Sequence, residues 1–429
     1  MMILQQTRGA LSSGDQLALD LPFAATKSLT ARIGPTPAFT RAQSTPTSTT
    51  FVGADGLIQY AAANQPRFDH DPVTLVCKGL LIEEQRTNLI LQSENFGTTW
   101  SADGGLIAVS TNVVTSPSGL ANADKITENS TTNNRRICIT TITAVAGTVY
   151  TISCYLKAGE RDFAQLAFGG IFGNQYQNFI IGGASAGTLA SGIGITSPQI
   201  TALADGWYRC TATITSAGSG ATQVTVGPLP SNLAARWPVY TGVIGSGVYA
   251  WGAQLEAGSF PTSYIPTTTT SAVRSADACS ITGAAFSGFY NQDEGSFSCV
   301  TTKPSTNSNS FIVHASDGTF NNAIDLRYNT ATQAGSIMNV SNVTQFSLVS
   351  TISASALVKQ SVGYKINDCA YSANSGSVIT DTSASIPTTN RMVIGNSAAG
   401  GSYYLNGTVS SIRYYKKRLP NAKLQALTV

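Results

Sequence analysis

Along most of the chain apolar residues recur at every second position, which predicts half-buried strands and argues against amphipathic helices. In "VYTISCYLK", Tyr150, Ile152, Cys154 and Leu156 share one face, while Val149, Thr151, Ser153, Tyr155 and Lys157 share the other. In "WYRCTATITS", Tyr208, Cys210, Ala212 and Ile214 alternate with Trp207, Arg209, Thr211, Thr213 and Thr215. The same period in "VYAWGAQLE" sets Tyr249, Trp251, Ala253 and Leu255 on one inward face. Clusters of Gly, Asn, Ser and Asp separate these runs, the pattern of an antiparallel sandwich.

A threonine-rich segment with Pro266, "SYIPTTTTSAVRSAD", breaks the alternation and reads as a linker over 267–278. A second alternating region covers 279–429. There Asn406-Gly407 is a type I′ hairpin signal, and "LPNAKLQAL", with Leu424 and Leu427 three apart, predicts a short closing helical turn. Residues 1–85 alternate weakly and carry several prolines, so they read as an extended docking or oligomerisation arm. The expected class is all-β: this arm, a first sandwich over 86–266, the linker, and a second sandwich.

Composition narrows the function. A length of 429 residues exceeds what one core serves. Only 11% of residues are charged, and 25 basic against 22 acidic side chains leave +3, with Lys416-Lys417-Arg418 as the one compact basic run. Nucleic-acid binding is therefore not expected. No apolar run approaches the length of a membrane span, and "MMILQQTRG" lacks a charged segment ahead of an apolar core, so synthesis in the cytoplasm without a signal peptide is expected.

Candidate chemistry is sparse. His70, between Asp69 and Asp71, reads as part of an Asp-rich turn ahead of Pro72, and His314 as a surface or core-edge imidazole. The seven dispersed cysteines contain no C-x-x-C pair and read as buried thiols, with an inter-strand or inter-subunit bridge as the alternative. No metal site is assigned. Glu83/Glu84, Glu160/Asp162 and Asp293/Glu294 are the close carboxylate pairs, but closeness in sequence says little, and an adjacent pair such as Glu83-Glu84 on an extended stretch points to opposite faces and cannot jointly flank a glycosidic bond. Aromatics on an uncharged β surface suit sugar binding, since a sugar's apolar face stacks on a ring. The candidates are Trp100, Trp207, Trp237, Tyr264, Tyr403, Tyr404, Tyr414 and Tyr415; Trp207, opposite Cys210 and Ile214, is the best exposed by pattern.

"FTRAQSTPTSTTFVGADGLIQYAAANQPRFDHDPVT", "GLLIEEQRTNLILQSENF", "DGWYRCTATIT" and "YAWGAQLEAGSFPTSYIPTTTTSAVRSAD" together resemble a module of tailed-bacteriophage virion proteins, tail fibres among them. From "TNLILQSENFGTTW" to "WGAQLE" the chain is similar to carbohydrate-binding-module jelly rolls, which implies glycan or calcium sites; no calcium ligands are picked out. "MVIGNSAAGGSYYLNGTVSSIRYYKKRLPNAKLQAL" resembles the end of laminin-G-like, concanavalin-type sandwiches. The resemblance implies a non-enzymatic protein on the virion surface, made in the host cytoplasm, homotrimeric, and docked to other virion proteins by its arm. A tail-fibre adhesin for host glycan, a capsid or neck decoration protein, and a polysaccharide depolymerase are the competing roles. Within "GLLIEEQRTNLIL", Glu83 or Glu84 paired with Arg86 is expected to fix the junction of arm and sandwich or a contact with a neighbouring chain, and Leu89 and Leu91 to share the core face.

Overall fold

The computed structural model describes residues 16–43, 48–102, 107–303, 309–353, 357–398 and 403–429. It is nearly all β, with short helices at Phe23–Thr26, Gly283–Phe289 and Asn421–Ala426. Two compact units divide the chain: Arg41–Cys77 with Gln85–Ala276, and the segments up to Thr40, Lys78–Glu84 and Asp277–Val429.

The first unit is a sandwich of two six-stranded antiparallel sheets. One runs in the order Thr196–Ala202, Trp207–Thr215, Val149–Ala158, Gly247–Ala257, Ala123–Glu128, Ile107–Val114. The other runs Thr188–Ile193, Tyr176–Ile180, Phe163–Gly170, Gly220–Leu229, Ile137–Ala144, Ser101–Ala102. Ile152, Cys154, Leu156, Cys210, Ala212 and Ile214 meet Ile137, Ile139, Leu166, Phe168, Val224 and Val226 in one core, as the alternation predicts. Ile90 is the fully buried member of the Leu89-Ile90-Leu91 run, with its neighbours packed half-buried against the same core.

The alternation fails at one strand for a local reason. Ser153 pairs with Gln254 and Tyr155 with Trp251, so the register slips by a bulge around Gly252, whose φ is +62°. Tyr249 and Trp251 are thereby turned away from the face that Ala253 and Leu255 keep. Trp251 is buried, but in a second layer on the outer face of the sheet, with Ile58, Tyr155, Trp207 and Tyr264. Thr50 and Arg67 join Ile58 in this layer: Thr50 Oγ1 donates to Tyr264 O at 2.6 Å, and buried Arg67 donates to Thr50 O at 2.9 Å and Ser263 Oγ at 2.7 Å.

The second unit packs a seven-stranded sheet, Ala38–Thr40, Ala278–Thr282, Arg391–Ile394, Ser310–Ser316, Ala323–Thr330, Gln333–Val340, Val343–Thr351, against a sheet centred on Glu294–Thr302 and Gly407–Tyr415. The closing helix forms as predicted, with Leu424 fully buried. The hairpin predicted at Asn406-Gly407 does not: Asn406 has φ +48°, but residues 403–406 are irregular, and Gly407 opens a strand where a Cβ would stand 2.1 Å from Thr302 O.

The expected arm over 1–85 is not one body. Leu17–Leu21 and Cys77–Ile82 pair with Gly407–Tyr415, and Ala38–Thr40 pairs with Ala278–Thr282, all completing sheets of the second unit. Most of 41–77 belongs to the first unit. Several of these strands are three residues long, too short to show a period, which is why they read as irregular. Residues 1–15 lie outside the described residues. The expected linker is likewise structured in part, since Ala272–Arg274 pairs with Arg86–Asn88.

Candidate functional site

Most of the candidate aromatics are core. Trp100 packs on Phe96 with centroids 4.9 Å apart. Trp207 does point away from the main core, as its position predicts, yet it is only 2% exposed: the outer layer covers that face, and its Nε1 donates to Thr115 O at 3.1 Å. Tyr264, Tyr414 and Tyr415 are buried as well. Tyr403 and Tyr404 are half-buried, and Tyr403 meets Phe311 and Phe320 edge-on at 5.6 and 5.5 Å. Trp237 is different in kind, being half-buried with two guanidinium groups against it.

The loop "PSNLAARWPV" after the strand Gly220–Leu229 lies across the outer face of the second six-stranded sheet. Gln165 and Asn178, paired in register, hold it there. Asn178 Nδ2 donates to Ala234 O at 2.7 Å, and Gln165 Nε2 to Ala235 O at 3.1 Å. Trp237 then donates from its backbone N to Gln165 Oε1 and from Nε1 to Thr225 Oγ1, both at 3.0 Å. Its φ of +49° is rare for a bulky residue and costs on the order of 1–3 kcal/mol, so these bonds hold a strained backbone. Such strain gathers at functional sites.

Arg136 enters from beside the neighbouring strand. Gly227 permits the approach, since a Cβ there would sit 2.3 Å from Arg135 O and 3.0 Å from Arg136 Cα. The guanidinium carbons of Arg136 and Arg236 lie 3.7 and 3.1 Å from the Trp237 ring centroid. At those distances two planar guanidinium groups cannot share one face, so the indole is sandwiched between them. Both faces of the Trp237 ring are therefore covered by cations. Arg236 Nε and Nη2 both donate to Phe168 O, at 3.0 and 2.6 Å. Burial, and then the charge of Arg136, push the Arg236 guanidinium down to about 10. Two unit charges about 7 Å apart repel by about 2 kcal/mol at an effective dielectric of 20.

Glu128 receives Arg161 Nη2 at 2.7 Å, Tyr240 OH at 2.5 Å and the Val243 amide at 2.9 Å. Burial would raise this carboxyl, but the hydrogen bonds from Arg161, Tyr240 and Val243 outweigh it and hold it below the ordinary range.

No protein-family model matches the chain, and no curated protein matches it. Among solved structures it is similar to the CBM40 domain of a Ruminococcus gnavus IT-sialidase bound to α2,3-sialyllactose: 13% identity, 32% of this chain, 84% of that one, TM-score 0.30. It is also similar to the NanB sialidase of Streptococcus pneumoniae, with 12% identity over 35% of this chain and 26% of that one, TM-score 0.30. A structure described as a receptor binding domain follows, with 10% identity, 36% and 39% coverage, and TM-score 0.28. Likeness at this level does not identify a ligand for this chain.

The Glu83 amide donates to Asp277 Oδ2 at 2.9 Å and the Glu84 amide to Asn406 Oδ1 at 2.8 Å. Arg86, in the other unit, lays its guanidinium over Phe260, 5.1 Å from the centroid. Glu160 accepts from Lys125 at 2.8 Å and from the Gly247 amide at 3.1 Å, and Glu294 accepts from the Arg418 amide at 3.1 Å. Among the described residues no group of three or more His, Cys, Asp or Glu is placed to hold a metal. Cys154 and Cys210 are free thiols, although they face each other in register. His70 is buried, with Nδ1 3.1 Å from Val52 O. A wide-mouthed depression of about 600 Å³ in the second unit, lined by Leu17, Pro35, Ala284, Phe289 and Lys416, contains none of the candidate aromatics.

His314 corrects the expectation of a surface or edge imidazole. It is fully buried beside Phe311 and Phe320, and its Nδ1 accepts the Ala398 amide at 2.9 Å. Burial pushes it down from 6.5 to about 4, with Asp325 opposing and Arg327 assisting. Below about pH 6.5 the unfolded chain takes up a proton here that the folded chain refuses until about pH 4. Stability therefore falls as pH drops through that window, by up to about 3 kcal/mol. Denaturant melts of wild type and His314→Asn between pH 7 and 4 should show a shallower decline in the variant; parallel curves would rule the imidazole out as the cause.

Proposed function

We propose that this chain is a non-enzymatic glycan-binding protein of a tailed-phage virion surface, most simply a tail-fibre or tail-associated adhesin. The observation that carries this reading is the half-exposed Arg136–Trp237–Arg236 stack, held in a strained conformation on the outer face of the jelly roll. Guanidinium N–H groups donate to sugar hydroxyls, and the indole edge beside Pro238 offers an apolar contact for C–H faces. The phage context rests on the sequence resemblance. Homotrimerisation belongs to the proposal, and light scattering should return the mass of three chains; a single-chain mass in the absence of other virion proteins would remove it. The arm's docking role is not carried forward, because its described strands are already paired within the chain.

The test uses the full chain on immobilised host-surface polysaccharides. Wild type should be retained, and Trp237→Ala should weaken retention at least about tenfold, as loss of a central aromatic anchor does. Loss at Tyr403→Ala instead would move the site to the second unit. Retention of wild type on no host glycan defeats the reading. A capsid or neck decoration role is the second reading, favoured by the exposed apolar turn of Val73, Leu75 and Val76. Antibody labelling of intact particles separates head from tail.

A further inference from the structure

Resting on the glycan-binding reading, we propose that the ligand carries an oxyanion, a sugar carboxylate or phosphate, received beside Trp237 by the guanidinium groups of Arg136 and Arg236. The argument begins with geometry. Both carbons lie within 3.7 Å of one ring centroid, so two like charges are fixed on either side of a rigid spacer. Their positions are set by the backbone at both ends: Arg136 by the close approach that Gly227 allows, Arg236 by the loop that Gln165 and Asn178 hold.

Charge balance points the same way. Arg236 makes no ion pair among the described residues, and its hydrogen bonds are confined to the one carbonyl of Phe168, which engages Nε and Nη2. Nη1, the far corner of the fork, is left for an outside acceptor. Glu128 is engaged by Arg161, Tyr240 and Val243. Arg135, adjacent in sequence, is turned onto the backbone of Asn129 and Thr131 and over the Tyr240 ring, 5.6 Å from its centroid. The depressed Arg236 guanidinium reports the same imbalance, since burial and a like charge both oppose its proton. The opposite charge of an oxyanion offsets both effects, and the planar fork matches carboxylate and phosphate oxygens alike.

A structural role alone, a cation–π ladder that stiffens the loop, accounts for the stacking. It does not account for a second arginine placed where the first already disfavours charge. A ladder of one arginine and the indole would hold the loop as well.

The deciding experiment measures retention of the full chain on a panel of carboxylate-bearing and phosphate-bearing polysaccharides. Each is paired with its carboxyl-reduced or dephosphorylated form, at low and high salt. The expected result is at least tenfold weaker retention on the neutralised form and a marked loss at high salt. Arg236→Met, which keeps an apolar stem against the indole, should reproduce the loss on the acidic glycan while melting within a few degrees of wild type. Arg236→Lys should recover part of it. Retention on carboxylate or on phosphate polymers alone assigns the source of the oxyanion. Equal retention on native and neutralised glycans overturns the inference and leaves the glycan reading standing. Retention on neither overturns both.

Discussion

Asn88→Asp is expected to leave the jelly roll unable to fold. Asn88 is fully buried, and each side of its amide does two jobs. Nδ2 donates to Ala253 O at 3.1 Å and Ile265 O at 2.8 Å; Oδ1 accepts the amides of Ile90 and Leu255, both at 3.1 Å. One side chain thus stitches the opening strand of the sandwich to its closing strand and to the segment beyond. Aspartate keeps the two acceptor bonds but turns an oxygen toward two carbonyls and adds a buried charge. Asn88→Leu, of similar volume, strands four buried backbone groups. At about 1–3 kcal/mol for each, the cost approaches the 5–15 kcal/mol that holds a typical domain together. The measurement is soluble yield, followed by urea unfolding of whatever is recovered. If either variant unfolds within about 1 kcal/mol of wild type, below the cost of even one stranded group, the four bonds do not act as described.

The second large effect is expected at Trp251→Ala. The side chain is fully buried, its ring centroid 4.7 Å from that of Tyr264 and 5.3 Å from that of Tyr155. Removing it opens a large cavity in the outer layer, which costs about 3–5 kcal/mol. For a body of this size that lowers the melting temperature by about 10 °C. Trp251→Phe, which leaves a ring against Tyr264, should lose less than half as much. A melting temperature for Trp251→Ala unchanged within error would mean that the outer layer does not contribute to stability. Burial of Trp207 and Trp251 in one layer also implies that Trp207→Ala should be costly, where an exposed sugar platform would be replaceable without thermal effect.

These two residues show what the motif "RTNLILQSENF" and the strand "VYAWGAQLE" encode. In the first, the neutral Asn88 carries this effect, and three of its four partners, Ala253, Leu255 and Ile265, lie about 170 positions away and leave no local trace. The second was legible as a strand, but the slip at Gly252 turned Trp251 to the other side. A lone glycine in a strand was the available signal, and it marks bulges often enough to have been weighed.

The candidate site was legible only in part. Trp237 could be picked out as one of four tryptophans, and the Arg236-Trp237-Pro238 run and the Arg135-Arg136 pair were visible signals. Nothing local joins them, because the contact depends on a loop folding over a sheet face. Gln165 and Asn178, which hold that loop, read simply as polar positions on strands.

By itself, the sequence determined the all-β class, the inward faces of most strands, the two-sandwich plan and the closing helix, because period-two burial and turn chemistry are local properties of the chain. Tertiary structure alone decided which outward faces meet water, how the described strands before Arg86 are shared among sheets, and that two arginines flank one indole. Those outcomes depend on pairing between segments far apart in sequence, where a face turned from one core becomes the wall of another.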